Sequence, residues 1–150
     1  MSRNLRVFVT GAGSGLGRAI ALHYAKQGAR VACTDRDETS AKETLAQVIK
    51  AGGTGVAFAL DVTQEEDFVA ARDRLQKEWK GVDVVINNAG VATAGDIDAA
   101  PMSDWEWVVN INLFGVVRGC KTFAPMLKAQ RSGHVVNIAS FAGIANPPGM

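Results

Sequence analysis

The sequence predicts an α/β fold, a doubly wound parallel sheet with helices on both faces in three layers. Five short apolar runs recur along the chain, at 5–10, 30–35, 55–61, 82–87 and 134–140. They are continuously apolar rather than alternating, the mark of strands covered on both faces. Helical patterns fill the intervals, and a glycine-rich turn joins the first run to the first helix. Strands that alternate with helices imply right-handed crossovers and parallel pairing.

Taken in order, "LRVFVT" at 5–10 reads as the first strand and residues 15–27 as the first helix. "RVACTD" at 30–35 is the second strand. The next helix, 39–51, sets Ala41, Leu45, Val48 and Ile49 on one stripe and stops at Gly52-Gly53, a C-cap pattern. "GVAFALD" is the third strand, and Thr63 followed by Glu66 is the capping-box spacing for a helix over 64–79. "VDVVIN" is the fourth strand. A long apolar helix over about 103–130 follows, kinked or ended near Pro125, before "HVVNIAS" makes the fifth strand.

A chain of 150 residues is one domain long and buries roughly 70% of its unfolded surface. With 16 basic against 15 acidic residues and no Lys/Arg run, it lacks a phosphate-backbone stripe, so nucleic acid is not an expected partner. Cys33 and Cys120 belong to no C-x-x-C pair or His cluster, so no metal site is expected and two buried or half-buried thiols in a reducing compartment are. The start, "MSRNLRVFVTGAG", moves straight into a strand, and no run reaches the ~20 apolar residues of a membrane span. The expectation is a cytoplasmic protein without a membrane partner.

The turn "TGAGSGLGRAI", residues 10–20, fails the G-x-G-x-x-G dinucleotide pattern because Leu16 stands where the third glycine would be. Gly11, Gly15 and Gly17 instead make a T-G-x-x-x-G-x-G spacing. Three physical needs are met: a tight exit from the strand, room for a pyrophosphate against the backbone, and close packing of the helix on the sheet. The helix start then offers its N–H groups and dipole to an anion, with Ser14 as a backbone or phosphate contact. A glycine-rich turn can also be no more than a turn.

Asp35, at the end of the second strand, can accept hydrogen bonds from both adenosine ribose hydroxyls and would repel a 2′-phosphate, which favours NAD over NADP. Arg36 beside it argues the other way, since a guanidinium can hold that phosphate. Asp61, in "ALDVT", either caps the following helix or accepts from an adenine amino group. In "NNAG", 87–90, the two asparagine side chains can satisfy backbone groups at a strand end, and Ala89-Gly90 leaves room for a flat ring or a ribose.

With these residues in this order the sequence resembles the short-chain dehydrogenase/reductase family, over essentially all 150 residues. The carrying motifs are Thr10-Gly11-x-x-x-Gly15-x-Gly17, Asp35, Asp61-Val62, Asn87-Asn88-Ala89-Gly90, Asn112 in "WVVNINLFG" and Ser140 in "GHVVNIAS". The resemblance implies a Rossmann-type sheet in the order 3-2-1-4-5. It implies a cofactor site of Gly11, Ser14, Gly15, Leu16, Gly17, Asp35, Arg36, Asp61, Val62, Asn88, Ala89 and Gly90. It implies that Asn112 holds a water and bends its helix for proton relay, and that Ser140 is the active-site serine acting on a small alcohol or carbonyl substrate. Asn110 matches no family position, and either asparagine could be a satisfied core amide. The helix is apolar on more than one face, with Trp105, Val109, Leu113, Val117 and Phe123, and the resemblance implies that copies associate through it as a homodimer or homotetramer.

The family's base is a tyrosine, with a lysine in Y-x-x-x-K to lower its pKa from about 10. The one tyrosine here, Tyr24, lies in the first helix and makes no such motif. His23 and His134 have no Ser or Cys partner at a known spacing and read as structural. Two expectations follow. The chain is the N-terminal part of an NAD-dependent oxidoreductase, inactive alone, or it is a naturally short, non-catalytic dinucleotide-binding module. An uncovered apolar fifth strand favours the first.

Overall fold

The computed structural model describes residues 4–145. Five parallel strands, β1 (Arg6–Thr10), β2 (Arg30–Asp35), β3 (Thr54–Ala59), β4 (Val84–Asn87) and β5 (His134–Asn137), form one sheet in the order β3-β2-β1-β4-β5. This is the Rossmann arrangement the resemblance implies. The helices are α1 (Gly15–Lys26), α2 (Glu38–Lys50), α3 (Glu65–Trp79), α4 (Met102–Val109) and α5 (Gly115–Gln130), with a π-helical turn, Asn110–Phe114, between the last two. A short 3₁₀ turn, Phe141–Gly143, follows β5.

Alternation along each strand splits the core in two. From β1, Phe8 points to one face, with Phe68 of α3 and Phe123 of α5; its ring lies 4.6 Å from Phe123 and 6.4 Å from Phe68. Val7 and Val9 point to the other, against Ala21 and Ala25 of α1 and Val48 of α2. At the base of the sheet Arg6 grips Asp83 with a two-pronged ion pair, 2.9 and 2.6 Å, and this bond is what raises the Arg6 pKa.

Several local expectations are corrected. The third, fourth and fifth strands are shorter than their apolar runs; β5 ends at Asn137, with Ile138 making one last bond to Asn87 O at 3.0 Å. Ile49 is 58% exposed, and Thr44 takes its place in the buried stripe of α2 beside Ala41 and Val48. The Gly52-Gly53 terminus does form: Gly52 takes φ +88°, and both glycine N–H groups bond back into the helix. No capping box opens α3. Gln64 is its N-cap, because the Asp61 carboxylate has captured both the N–H and the hydroxyl of Thr63 at 2.8 Å.

The long helix is interrupted at the π turn and not at Pro125. Pro125 is exposed, so its ring faces solvent, while Phe123 and Leu127 on either side are buried and hold the helix on course to Gln130. Phe123 is core, whereas Trp105, Val109, Leu113 and Val117 are exposed. All four residues of β5 are exposed as well, and among the described residues the strand pairs with β4 alone. The segment 146–150 that closes the sequence lies outside the described residues.

Candidate functional site

At the C-terminal edge of the sheet, where the chain reverses between β1 and β4, lies a cleft of about 960 Å³. Its walls begin with the glycine turn. Gly11 and Gly15 take φ +63° and +50°, conformations that side chains resist. A Cβ on Gly11 would come within 2.8 Å of Ala89 Cα, and one on Gly17 would strike the Gly11 carbonyl. At Gly15 nothing lies within 4 Å of a Cβ position, so this side of the turn is open to a ligand. Ser14 is the N-cap of α1 but makes no side-chain cap bond. The first-turn N–H groups, which no helix carbonyl reaches, therefore face the cleft with the hydroxyl beside them.

Asp35 closes the next wall. Its Oδ2 accepts the Gly13 N–H at 2.9 Å and its Oδ1 accepts the Asp37 N–H at 3.1 Å, which fixes the carboxylate in the lining of the cleft. Gly13 was not among the glycines singled out by spacing. It must be glycine because Ser40 Oγ and the Asp35 carboxylate occupy the place of its Cβ. Arg18 was missed too: its guanidinium bonds the Gly13 carbonyl and, at 2.9 Å, the Thr44 hydroxyl, which in turn donates to Ala12 O at 2.8 Å. Buried Thr44 thus ties α2 to the turn.

The opposite wall is the "NNAG" segment. Asn88 Nδ2 donates to Thr10 O at 2.9 Å and Gly11 O at 3.2 Å, while Thr10 Oγ1 accepts the N–H groups of Asn88 and Ala89 at 3.0 and 3.1 Å. Thr10 is the hub of this junction. Only Asn88 satisfies the backbone; buried Asn87 reaches Asn137 on β5 at 2.8 Å instead, and among the described residues its Oδ1 has no hydrogen-bond partner. Behind Gly90, exposed Asn112 pairs with Val91 in both directions, accepting its N–H and donating to its carbonyl, each at 2.8 Å. It is satisfied, but not as a core amide, and it sits inside the π turn.

At the far end, Asp61 is bound to Thr63 and stands outside α3, so it is not that helix's N-cap. Val62 and Asn110 both line the cleft, one on the loop after β3 and the other at the start of the π turn, and Arg118 of α5 joins them. Its Nη1 donates to Val62 O at 3.1 Å and Asn110 O at 3.2 Å, and its Nη2 to Asn110 Oδ1 at 2.9 Å. No motif marked Arg118, because its partners are backbone and a single amide.

All twelve residues expected at a cofactor site line this one cleft, Leu16 and Arg36 included. Ser140 and Asn112 do not line it. Ser140 lies beyond the end of β5, exposed, its carbonyl accepting the Gly143 N–H at 3.1 Å. Tyr24 lies on α1 edge-on to His23, away from the cleft. Cys33 is fully buried, which pushes its thiol pKa up to about 12, and Cys120 is half-buried; both are free. Among the described residues no cluster of His, Cys, Asp and Glu could hold a metal, and no helix is long and apolar enough to cross a membrane.

A family model described as short chain dehydrogenase matches residues 6–150. The probable oxidoreductase EphD of Mycobacterium tuberculosis is 40% identical over 140 residues, 93% of this chain and 24% of that protein. Among solved structures, a short chain dehydrogenase/reductase from Burkholderia phymatum in complex with NAD superposes with a TM-score of 0.93 at 34% identity, over 98% of this chain and 53% of that one. An NAD⁺-bound xylitol dehydrogenase gives 0.94 at 30% identity, over 99% and 57%. The chain spans about a quarter of the first relative and a little over half of the other two.

Proposed function

The chain belongs to the short-chain dehydrogenase family, and from that premise we propose that it forms the dinucleotide-binding part of an oxidoreductase moving hydride between NAD and a small alcohol or carbonyl substrate. The observation that carries the reading is the meeting of the α1 N-terminus and the Asp35 carboxylate in one cleft. The donor set suits such a cofactor: uncommitted N–H groups for a pyrophosphate, an open face at Gly15, and a carboxylate placed for a ribose. Two structural neighbours that hold NAD support a nicotinamide dinucleotide. Asp35, already fixed by two N–H groups, favours the cofactor without a 2′-phosphate, and Arg36 sits beside it in the same cleft.

Bound there, the dinucleotide supplies the hydride acceptor or donor. The remaining work falls to side chains. Ser140 gives its hydroxyl to the substrate oxygen, and Asn112 holds the Val91 backbone that flanks the nicotinamide end. The family's tyrosine base is absent from these 150 residues. A chain without it turns over roughly 10²–10⁴-fold more slowly than one that carries it. The exposed apolar face of Trp105, Val109, Leu113 and Val117 is where copies associate into a dimer or tetramer, in the cytoplasm.

Thermal unfolding tests the cofactor. NAD at a hundred times its Kd should stabilise the protein by about 2.7 kcal/mol. Asp35→Ser should weaken NAD and bring NADP level with it or ahead. Equal protection of the parent protein by NADP would overturn the choice of NAD, and protection by neither would overturn the dinucleotide.

A further inference from the structure

We propose that Arg118 is a cofactor-positioning residue, clamping together the two walls of the cleft that would enclose the adenine. The inference rests on reading the cleft as a dinucleotide site, and it concerns a residue that touches no cofactor: Arg118 does not line the cleft.

The geometry begins with the π turn. Its closing bond runs from the Gly115 N–H to Asn110 O, and the wide turn leaves that carbonyl able to accept a second donor. Arg118 supplies it at 3.2 Å and takes Asn110 Oδ1 with its other prong at 2.9 Å. The same Nη1 reaches across to Val62 O, 3.1 Å away on the loop after β3. One planar guanidinium thus joins Asn110, which faces the cleft from the helical side, to Val62, which faces it from the β3 side.

Among the described residues no other side chain in this corner hydrogen-bonds to both sides. Gly115 lets α5 approach Val62, with a Cβ position 3.1 Å from Val62 Cβ, but it bonds only within its own turn. Phe114, 5.9 Å below the guanidinium, steadies the cation without reaching the loop. Lys121 pairs with Glu65 farther along, outside the cleft. Packing at Gly115 brings the two sides together, and Arg118, through its bonds, fixes how Val62 and Asn110 stand to each other. Its three acceptors call for a fork and not a point charge.

Titration calorimetry with NAD, AMP and nicotinamide mononucleotide tests this on the parent protein, Arg118→Met and Arg118→Lys. AMP and NAD should each bind about tenfold more weakly to Arg118→Met, nicotinamide mononucleotide should be unchanged, and Arg118→Lys should recover part of the loss. Unchanged AMP affinity in Arg118→Met, or an equal loss for both mononucleotides, overturns the proposal. If Arg118→Met does not fold, Arg118→Lys decides: reduced AMP affinity alone supports the clamp, and full affinity overturns it. A parent protein that binds neither NAD nor AMP overturns the reading of the cleft itself, and this inference with it.

Discussion

The Asp35 carboxylate accepts the main-chain N–H of Gly13 at 2.9 Å. The residue that would select the cofactor is therefore also a strut of the turn that would hold its phosphates. Asp35 reaches the turn only because position 13 has no side chain: the space of that Cβ is filled by Ser40 Oγ and by the carboxylate itself, whose Oδ2 would be 2.8 Å away. Selectivity and turn geometry are coupled through one hydrogen bond.

Gly13→Ala should accordingly cost about 1–3 kcal/mol of stability, the range for overpacking a filled site, and should weaken NAD binding as well. Adding Ser40→Ala removes the worse of the two collisions and should return part of the stability but less of the binding, since Asp35 stays displaced. Urea unfolding and NAD titration of the single and double variants check this. Full recovery of binding in the double variant would show that Asp35 had not moved.

Asn112→Ala removes two 2.8 Å bonds that hold Val91 from both its N–H and its carbonyl. At about 0.5–1.5 kcal/mol each, their loss should appear first as faster hydrogen exchange at the Val91 amide. Asn112→Asp keeps an acceptor for the N–H but sets a carboxylate against the Val91 carbonyl, so it should protect Val91 less well than asparagine does. Exchange at Val91 equal to the parent in both variants would mean that the segment is held by other contacts.

What was legible beforehand divides by physical cause. β1, β2 and β4 were, because strands buried on both faces are continuously apolar, whereas β5 carries such a run with all four residues exposed. The cleft glycines and strand-end carboxylates were local patterns, while Leu16 and Val62 came only with the family resemblance. Gly13 and Arg18 were not singled out, and Thr10 only as the first residue of the glycine motif, since their roles depend on partners distant in sequence: Asp35, Thr44 and Asn88 respectively. The π turn was foreshadowed only by the bend that the resemblance implies at Asn112, because the helix around it is apolar on more than one face and offers no single stripe in which an inserted residue would show. Pro125 pointed the wrong way: it removes one N–H bond from α5, but buried Phe123 and Leu127 on either side hold the helix to the core and it runs on to Gln130.

Gly119 of α5 is pressed against buried Asn87, whose Oδ1 occupies the space a Cβ at 119 would need. Gly119→Ala must push α5 off β4 or turn the Asn87 amide away from Asn137, which it holds at 2.8 Å. The expected loss is about 1–3 kcal/mol, read by urea unfolding. It should fall mainly on β4, β5 and α5, so exchange at the β4–β5 ladder should accelerate more than at β1–β2. Uniform acceleration across the sheet would place the strain elsewhere.

Cys33 gives the protein a pH dependence with a definite sign. Burial raises its pKa from 9.0 to about 12 in the folded state, because the β2 interior does not solvate a thiolate. Below about pH 9 both folded and unfolded chains keep the proton, and Cys33 contributes no slope. Above that value the unfolded chain loses its proton while the folded chain retains it, so stability falls by about 1.4 kcal/mol per pH unit until the folded pKa is reached. Between about pH 8 and pH 10.5 the parent should lose roughly 2 kcal/mol more than Cys33→Ala does, once their difference at the lower pH is subtracted. Other titrating groups cancel in that comparison. Thiol labelling of the native protein supplies the companion measurement: half-buried Cys120 should react readily and Cys33 only on unfolding. Parallel stability curves for parent and variant would show that the thiolate is accommodated in the fold.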